Sequence, residues 1–175
     1  MQFVKLYTDG AARGNPGGPG GYAVVLEYTD SKGILHTKEI SGGFELTTNN
    51  RMELMAVIKG LEALVKPCRV EIYSDSKYIT DAFNKNWIAG WLRKGWKRSG
   101  SGNVKNIDLW ERLLAAAKPH DTSFIWVKGH DGHPQNERCD ELATTAADGD
   151  DLEVDEEYIN NLELPLTKLV QDQGQ

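Results

Sequence analysis

The chain has 175 residues, 39% of them hydrophobic and 26% charged, with a formal charge of −6. These are globular values, and the length suits one domain with a sizeable core. No stretch approaches the ~20 apolar residues of a membrane span, and the opening MQFVKLYTDG lacks the apolar run of a signal peptide.

Residues 2–8 read as a short strand. A glycine-rich stretch follows, then YAVVLEY at 22–28, a second strand by its β-branched and aromatic content. A turn at Asp30–Gly33 leads to a third strand at about 34–44. Strands joined this closely predict an antiparallel meander. The period then changes. Leu54, Val57, Ile58, Leu61, Leu64 and Val65 recur at helical spacing. Asn50 with Glu53 resembles a capping box, and Pro67 ends the helix. RVEIYS is a fourth strand, followed by a helix from about Ser76. A Trp-rich segment covers 87–98, and SGSGN at 99–103 is a flexible break. A helix at about 106–117, a fifth strand SFIWV and a last helix PQNERCDELATTAA complete the pattern. Pro134 is preset for the first turn of that helix. Three meander strands, then alternating helix and strand, predict an α/β layer fold with a mixed sheet.

Cys68 and Cys139 lie far apart without CxxC pairing, as small core residues of a reduced, cytosolic protein would. The acidic balance is local. Residues 148–175 hold nine acids and one base, a charge of −8, which leaves +2 on residues 1–147 of the total −6. Between Asp81 and Asp108 there is no acid but six bases: Lys85, Arg93, Lys94, Lys97, Arg98 and Lys105. That stretch is a candidate nucleic-acid surface.

GPGGYA, residues 18–23, has the spacing of a dinucleotide fingerprint. Such a fingerprint must open a helix, and here a strand follows. A long turn bent by Gly14, Pro16, Gly17 and Gly18 is the better reading. Carboxylates are more informative. Asp9 and Asp75 close the first and fourth strands, in YTDG and YSDS. Alone, each fits a local role, Asp9 in a turn and Asp75 as a helix N-cap. In a layered sheet the two strand ends can lie side by side, where ligands of α/β sheets gather. Two carboxylates there repel unless a cation lies between them. Glu53 is either the capping-box glutamate or a third ligand. Asp140 lies beside an apolar stripe of Cys139, Leu142 and Ala146, while Glu137 and Glu141 suit the solvated face. An all-carboxylate set suits Mg²⁺ or Mn²⁺. Two such ions ~4 Å apart support in-line phosphoryl displacement, so the expected class is metal-assisted phosphodiester hydrolysis. His130 and His133 have H-x-x-H spacing, which with Cys139 or Asp140 could bind zinc. Alternatively, His130 is a mobile proton shuttle and His133 a structural residue at the helix entry.

YTDGAARGNPGGPGG, TTNNRMELMAVIKGLEAL, YSDSKYI, GWKR, VKNIDLWERL and VKGHDGHPQNERCDELA, in this order over about residues 3–147, resemble bacterial type 1 ribonuclease H. The resemblance implies a five-stranded mixed sheet with helices on both faces, three strands antiparallel and the last two parallel to the first. It implies endonucleolytic cleavage of the RNA strand of an RNA–DNA hybrid, leaving 5′-phosphate and 3′-hydroxyl ends. With its unpaired cysteines and no sign of an obligate oligomer, the protein is expected to be a cytoplasmic monomer. Asp9, Glu53, Asp75 and Asp140 become the ligands of two Mg²⁺ ions, with Mn²⁺ a possible substitute, and His130 the general base or product-release residue. Asn15, Asn49 and Asn50 become readers of the minor groove, where the 2′-hydroxyl marks RNA. Thr48 and Arg51 resemble a pocket for a phosphate of the DNA strand. Trp87, Trp91, Lys94, Trp96, Lys97 and Arg98 resemble a basic protrusion that holds that strand, and Asn136 joins the substrate contacts. Lys77 stands where many bacterial members have glutamine, and a cation there could engage phosphate.

Residues 1–147 are thus expected to be the catalytic domain and 148–175 an acidic, partly flexible extension. DGDDLEVDEE reads as a solvated linker, and YINNLELPLTKLV has enough apolar residues to dock. The −8 stretch could compete with nucleic acid for the basic segment.

Overall fold

The computed structural model describes residues 1–14, 16–97 and 102–162. β1 (Gln2–Ala12), β2 (Gly18–Thr29) and β3 (Leu35–Thr47) run antiparallel in chain order. After α1 (Asn49–Glu62), β4 (Cys68–Ser74) returns parallel to β1. α2 (Lys77–Asn84), α3 (Trp87–Arg93) and α4 (Ile107–Ala117) lead to β5 (Asp121–Trp126), parallel to β4. α5 (Pro134–Asp148) and a two-residue β6 (Leu152–Glu153) follow, β6 parallel to β3. The sheet order is β5-β4-β1-β2-β3-β6.

The mixed α/β sheet agrees with the sequence, but the described residues form six strands, not five. The extra strand comes from the stretch expected to be a solvated linker, and that expectation is corrected. Leu152 pairs with Gly43 at the open edge of β3. An acid-rich run carries little local strand signal, so the edge of β3 supplies what the residues do not.

Central strands are apolar in both phases because helices cover both faces. Val4, Leu6, Val24 and Leu26 pack with Leu54, Val57, Ile58 and Leu61 of α1 and with Trp110 and Leu113 of α4. Full burial of each such aliphatic side chain contributes about 1.5–3 kcal/mol. Ala23 and Val25 face the other way, onto Cys139 and Ala143 of α5. α5 can sit this close because Gly21 has no side chain; a Cβ there would collide with the Ala143 carbonyl. Its buried stripe is therefore Cys139, Ala143 and Ala147, all small, with Leu142 and Ala146 only half-buried.

Several boundaries move. Thr48, not Asn50, is the N-cap of α1, and its hydroxyl accepts from the Arg51 N–H at 3.2 Å. α1 ends at Glu62, ahead of Pro67, so Val65 lies outside it and is 97% exposed. Gly18–Gly21 belong to β2 itself, and Gly14 and Gly17 ahead of it have φ 64° and 95°. In the Trp-rich segment, Trp91 packs edge-on to buried Trp110 at 5.3 Å and lies 6.3 Å from Trp96. Trp110 donates its indole N–H to the Tyr78 hydroxyl at 3.0 Å.

Candidate active site

β1 and β4 run parallel with Tyr7 opposite Tyr73, their rings stacked at 4.9 Å. Two residues further along each strand come Asp9 and Asp75. There β4 has ended and β1 continues only against β2, so both carboxylates stand at one mouth of the sheet. Glu53 reaches the same mouth from α1. Gly10 makes this possible: a Cβ there would collide with the Glu53 backbone nitrogen, so only glycine lets α1 close on β1. One carboxylate oxygen from each of Asp9, Glu53 and Asp75 lies within 4.8 Å of the others. Among the described residues this is the one cluster of at least three such ligands. Asp140 lines the same pocket from α5, outside that trio, together with His130, His133 and Asn136.

The cluster is electrostatically costly. Asp9 is 8% and Glu53 4% exposed. Burial, then the Asp75 charge, pushes the Asp9 carboxyl up to about 7. Burial and the Asp9 charge hold Glu53 well above the carboxylate range. Asp75 is raised by burial, with His130 partly offsetting the shift. One Glu53 oxygen, Oε2, is buried without a hydrogen-bond partner. An orphaned buried acceptor beside two like charges is what a hard cation with oxygen preference relieves. The donor set therefore fits Mg²⁺ or Mn²⁺.

The local roles considered for these acids do not apply. Ser76, not Asp75, occupies the N-cap of α2, and its N–H bonds Ser74 Oγ at 3.0 Å. Glu53 lies a full turn inside α1, with its cap at Thr48. Zinc is also disfavoured. Cys139 is fully buried, its thiol donates to the Tyr7 carbonyl at 3.1 Å, and burial pushes its pKa up to about 12. A thiol so held stays protonated and faces the sheet. His133 takes the N-cap position of α5, and His130 is exposed on the preceding loop in the left-handed region at φ 56°.

The expected substrate contacts divide. Asn15 and Arg98 lie outside the described residues. Asn50 is exposed, Asn49 and Thr48 half-buried, at the start of α1. Thr48 and Asn50 line a cavity of about 700 Å³ with Lys105, Asn106 and Tyr158. Arg51 behaves differently from expectation. It is 2% exposed, and its guanidinium bonds Asp155 through Nε and Nη2, Asp108 through Nη1 and Nη2, and Asn106 through Nη1. All its donors are engaged, so none remains for a phosphate. Asp155, at 6% exposed, also accepts from the Thr47 hydroxyl at 2.9 Å. Lys94 and Lys97 are exposed on the protrusion, Trp87 is 41% exposed, and Trp91 and Trp96 anchor it inward. Lys77 lies over the Trp126 ring at 4.7 Å. Asn136 Oδ1 is buried without a partner. Asp108, Asp155 and Trp126 carry no local signal in sequence; their partners lie dozens of residues away or across the sheet.

Known proteins resemble this chain in sequence and in fold. The family model described as RNase H matches residues 1–148. A ribonuclease H of Lachnoclostridium phytofermentans is 67% identical over 149 residues, 85% of this chain and 94% of the relative. One of Rippkaea orientalis is 53% identical over 157 residues, covering 90% and 93%. Among solved structures, LC9-RNase H1, a type 1 RNase H with the type 2 active-site motif, matches with a TM-score of 0.77 and 35% identity, covering 84% of this chain and 72% of that one. A foamy viral protease–reverse transcriptase in complex with RNA/DNA hybrid shares the fold at 19% identity and a TM-score of 0.69, over 84% of this chain and 20% of that one. With Asp9, Glu53 and Asp75 clustered at one mouth of the sheet and a family match that spans most of its length, this chain belongs to the RNase H family.

Proposed function

We propose that this enzyme hydrolyses the RNA strand of RNA–DNA hybrids with divalent metal, leaving 5′-phosphate and 3′-hydroxyl ends, largely without regard to sequence. The observation that carries the proposal is the buried trio Asp9, Glu53 and Asp75, with its orphaned Glu53 oxygen. These three and Asp140 would hold two Mg²⁺ ions, with Mn²⁺ able to substitute. When bound, the ions would supply activation of water and stabilisation of the leaving 3′-oxygen. Asp9, on β1, joins Glu53 of α1 and Asp75 just past β4 in the trio. His130, on an exposed loop beside the pocket, is suited to move a proton at the attacking water or the departing product. Asn15, Asn49 and Asn50 supply donors and acceptors for the 2′-hydroxyl. Thr48, sharing its cavity with Lys105 and Asn106, suits a phosphate of the DNA strand better than saturated Arg51. Lys94 and Lys97 on the protrusion add phosphate contacts, which position rather than specify.

The catalytic domain is read as residues 1–147 and 148–175 as an acidic extension, of whose described residues Leu152, Glu153 and Asp155 tie back to β3 and Arg51. The sequence offers no sign of an obligate oligomer, and the protein is read as a monomer. No described helix is long and apolar enough to cross a membrane. Two free, buried cysteines accord with a reducing cytoplasm. The test offers labelled RNA–DNA hybrid, duplex DNA and duplex RNA, each with Mg²⁺ or chelator. RNA-strand cleavage of the hybrid in Mg²⁺ alone is expected; cleavage of DNA, or of hybrid in chelator, would contradict the proposal.

A further inference from the structure

Trp126, the last residue of β5, stands 44% exposed near the acidic mouth. Its place is rigid. Trp126 pairs with Ser74 in the β4–β5 register, and the next N–H, of Val127, bonds the Ser74 carbonyl at 3.0 Å. Its indole Nε1 donates to the Asp75 carbonyl at 3.1 Å. The ring face carries the Lys77 ammonium, 4.7 Å from its centroid.

Lys77 is two residues from Asp75, yet among the described residues its ammonium forms no ion pair. A flexible lysine beside several carboxylates would ordinarily swing onto them. That would neutralise the site and cover the oxygens needed for a cation. Resting on an electron-rich ring gives the ammonium a favourable alternative. Its charge then stays at the rim, where a backbone phosphate would meet it, and an ammonium is a point-charge partner for phosphate.

We propose that Trp126 is a positioning residue of the substrate site: its ring holds the Lys77 ammonium clear of Asp9, Glu53 and Asp75 and presents it to a nucleic-acid phosphate. The inference rests on the reading of this site as one that acts on a nucleic-acid strand. The test measures affinity for a labelled RNA–DNA hybrid in chelator across a salt series, with cleavage by the unaltered protein in Mg²⁺ run alongside. Lys77→Gln and Trp126→Leu should each reduce the slope of log affinity against log salt by about one, the signature of one lost phosphate contact. The double variant should match the single variants, because both remove the same contact. Trp126→Phe, which keeps a ring face without the indole N–H, should retain the original slope. An unchanged slope in Lys77→Gln or Trp126→Leu, additive losses in the double variant, or a Phe variant that behaves like Leu would each overturn the inference. If hybrid cleavage by the unaltered protein persists in those cases, only the positioning role falls. If the unaltered protein does not cleave hybrid, the functional reading falls and takes this inference with it.

Discussion

Asp9 binds its proton more tightly in the folded chain than in an unfolded one, since burial and the Asp75 charge raise its pKa from 3.8 to about 7. The sign follows from linkage: a raised carboxyl pKa costs stability once the group must ionise. Without a cation, stability should therefore fall as pH rises from about 4 to about 7. Asp9→Asn removes that cost. The variant should unfold at higher temperature than the parent in chelator at neutral pH, by on the order of 1–3 kcal/mol of stability. Its hybrid cleavage should drop by several orders of magnitude, because a charge holding the metals is gone. A calorimetric scan and a cleavage assay on one preparation check both. Protons and cations compete for the same oxygens, so Mg²⁺ affinity measured by titration calorimetry should weaken as pH falls below about 7. Asp9 and Asp75 are legible from sequence because each follows a strand-like run, in YTDG and YSDS; in the fold Asp75 lies just past β4, whereas β1 runs beyond the expected residue 8 to Ala12 and holds Asp9 within it. Taken alone in the sequence, Glu53 reads more readily as a capping-box glutamate, until Thr48 is seen to hold the cap.

Elements are joined at two points that the local pattern does not reveal. At Gly10, α1 packs directly on β1. Gly10→Ala should push the helix back, cost about 1–3 kcal/mol through overpacking, and draw Glu53 away from Asp9 with a loss of activity. Urea unfolding and the cleavage assay report the two effects. At Arg51, a buried guanidinium joins α1 to Asp108 on α4 and to Asp155 beyond β6. Asp155→Ala leaves that charge partly uncompensated and should destabilise by roughly 3–5 kcal/mol in urea unfolding. Burial alone would raise the Asp108 carboxyl, but the Arg51 hydrogen bonds outweigh it and hold it below its ordinary value. A lowered carboxyl pKa stabilises above the unfolded value, and that stability is lost as pH falls through the folded one. Acid should therefore weaken this junction as Asp108 protonates. The family resemblance makes Arg51, with Thr48, a phosphate ligand. Only the folded chain shows its donors turned inward.

At the scale of the whole molecule, charge is segregated. By sequence, residues 1–147 sum to +2 and residues 148–175 to −8; of the latter, Leu152 and Glu153 pair with β3 at the sheet edge and Asp155 binds Arg51 of α1. Affinity for hybrid should fall steeply with salt, since phosphate contacts dominate it. Neutralising Lys94 or Lys97 should raise KM with little change in kcat and reduce the salt slope by about one each. Deleting residues 151–175 removes β6 and Asp155 together, so the melting temperature should fall at least as far as for Asp155→Ala. A deletion that melts like the parent would show that the extension contributes nothing to the fold.

The meander, the helix–strand alternation and the candidate acids Asp9 and Asp75 follow from the residues themselves, because period and turn chemistry are local. The sixth strand, the true cap of α1, the burial of Arg51 and the Trp126–Lys77 stack do not. Each depends on a partner brought close by packing, as Leu152 on Gly43 or Asp155 on Arg51. Convergence of Asp9, Glu53 and Asp75 stands between the two. The residues and their chemistry are written in the chain, but their approach to within 4.8 Å rests on the β1–β4 register and on the missing side chain of Gly10.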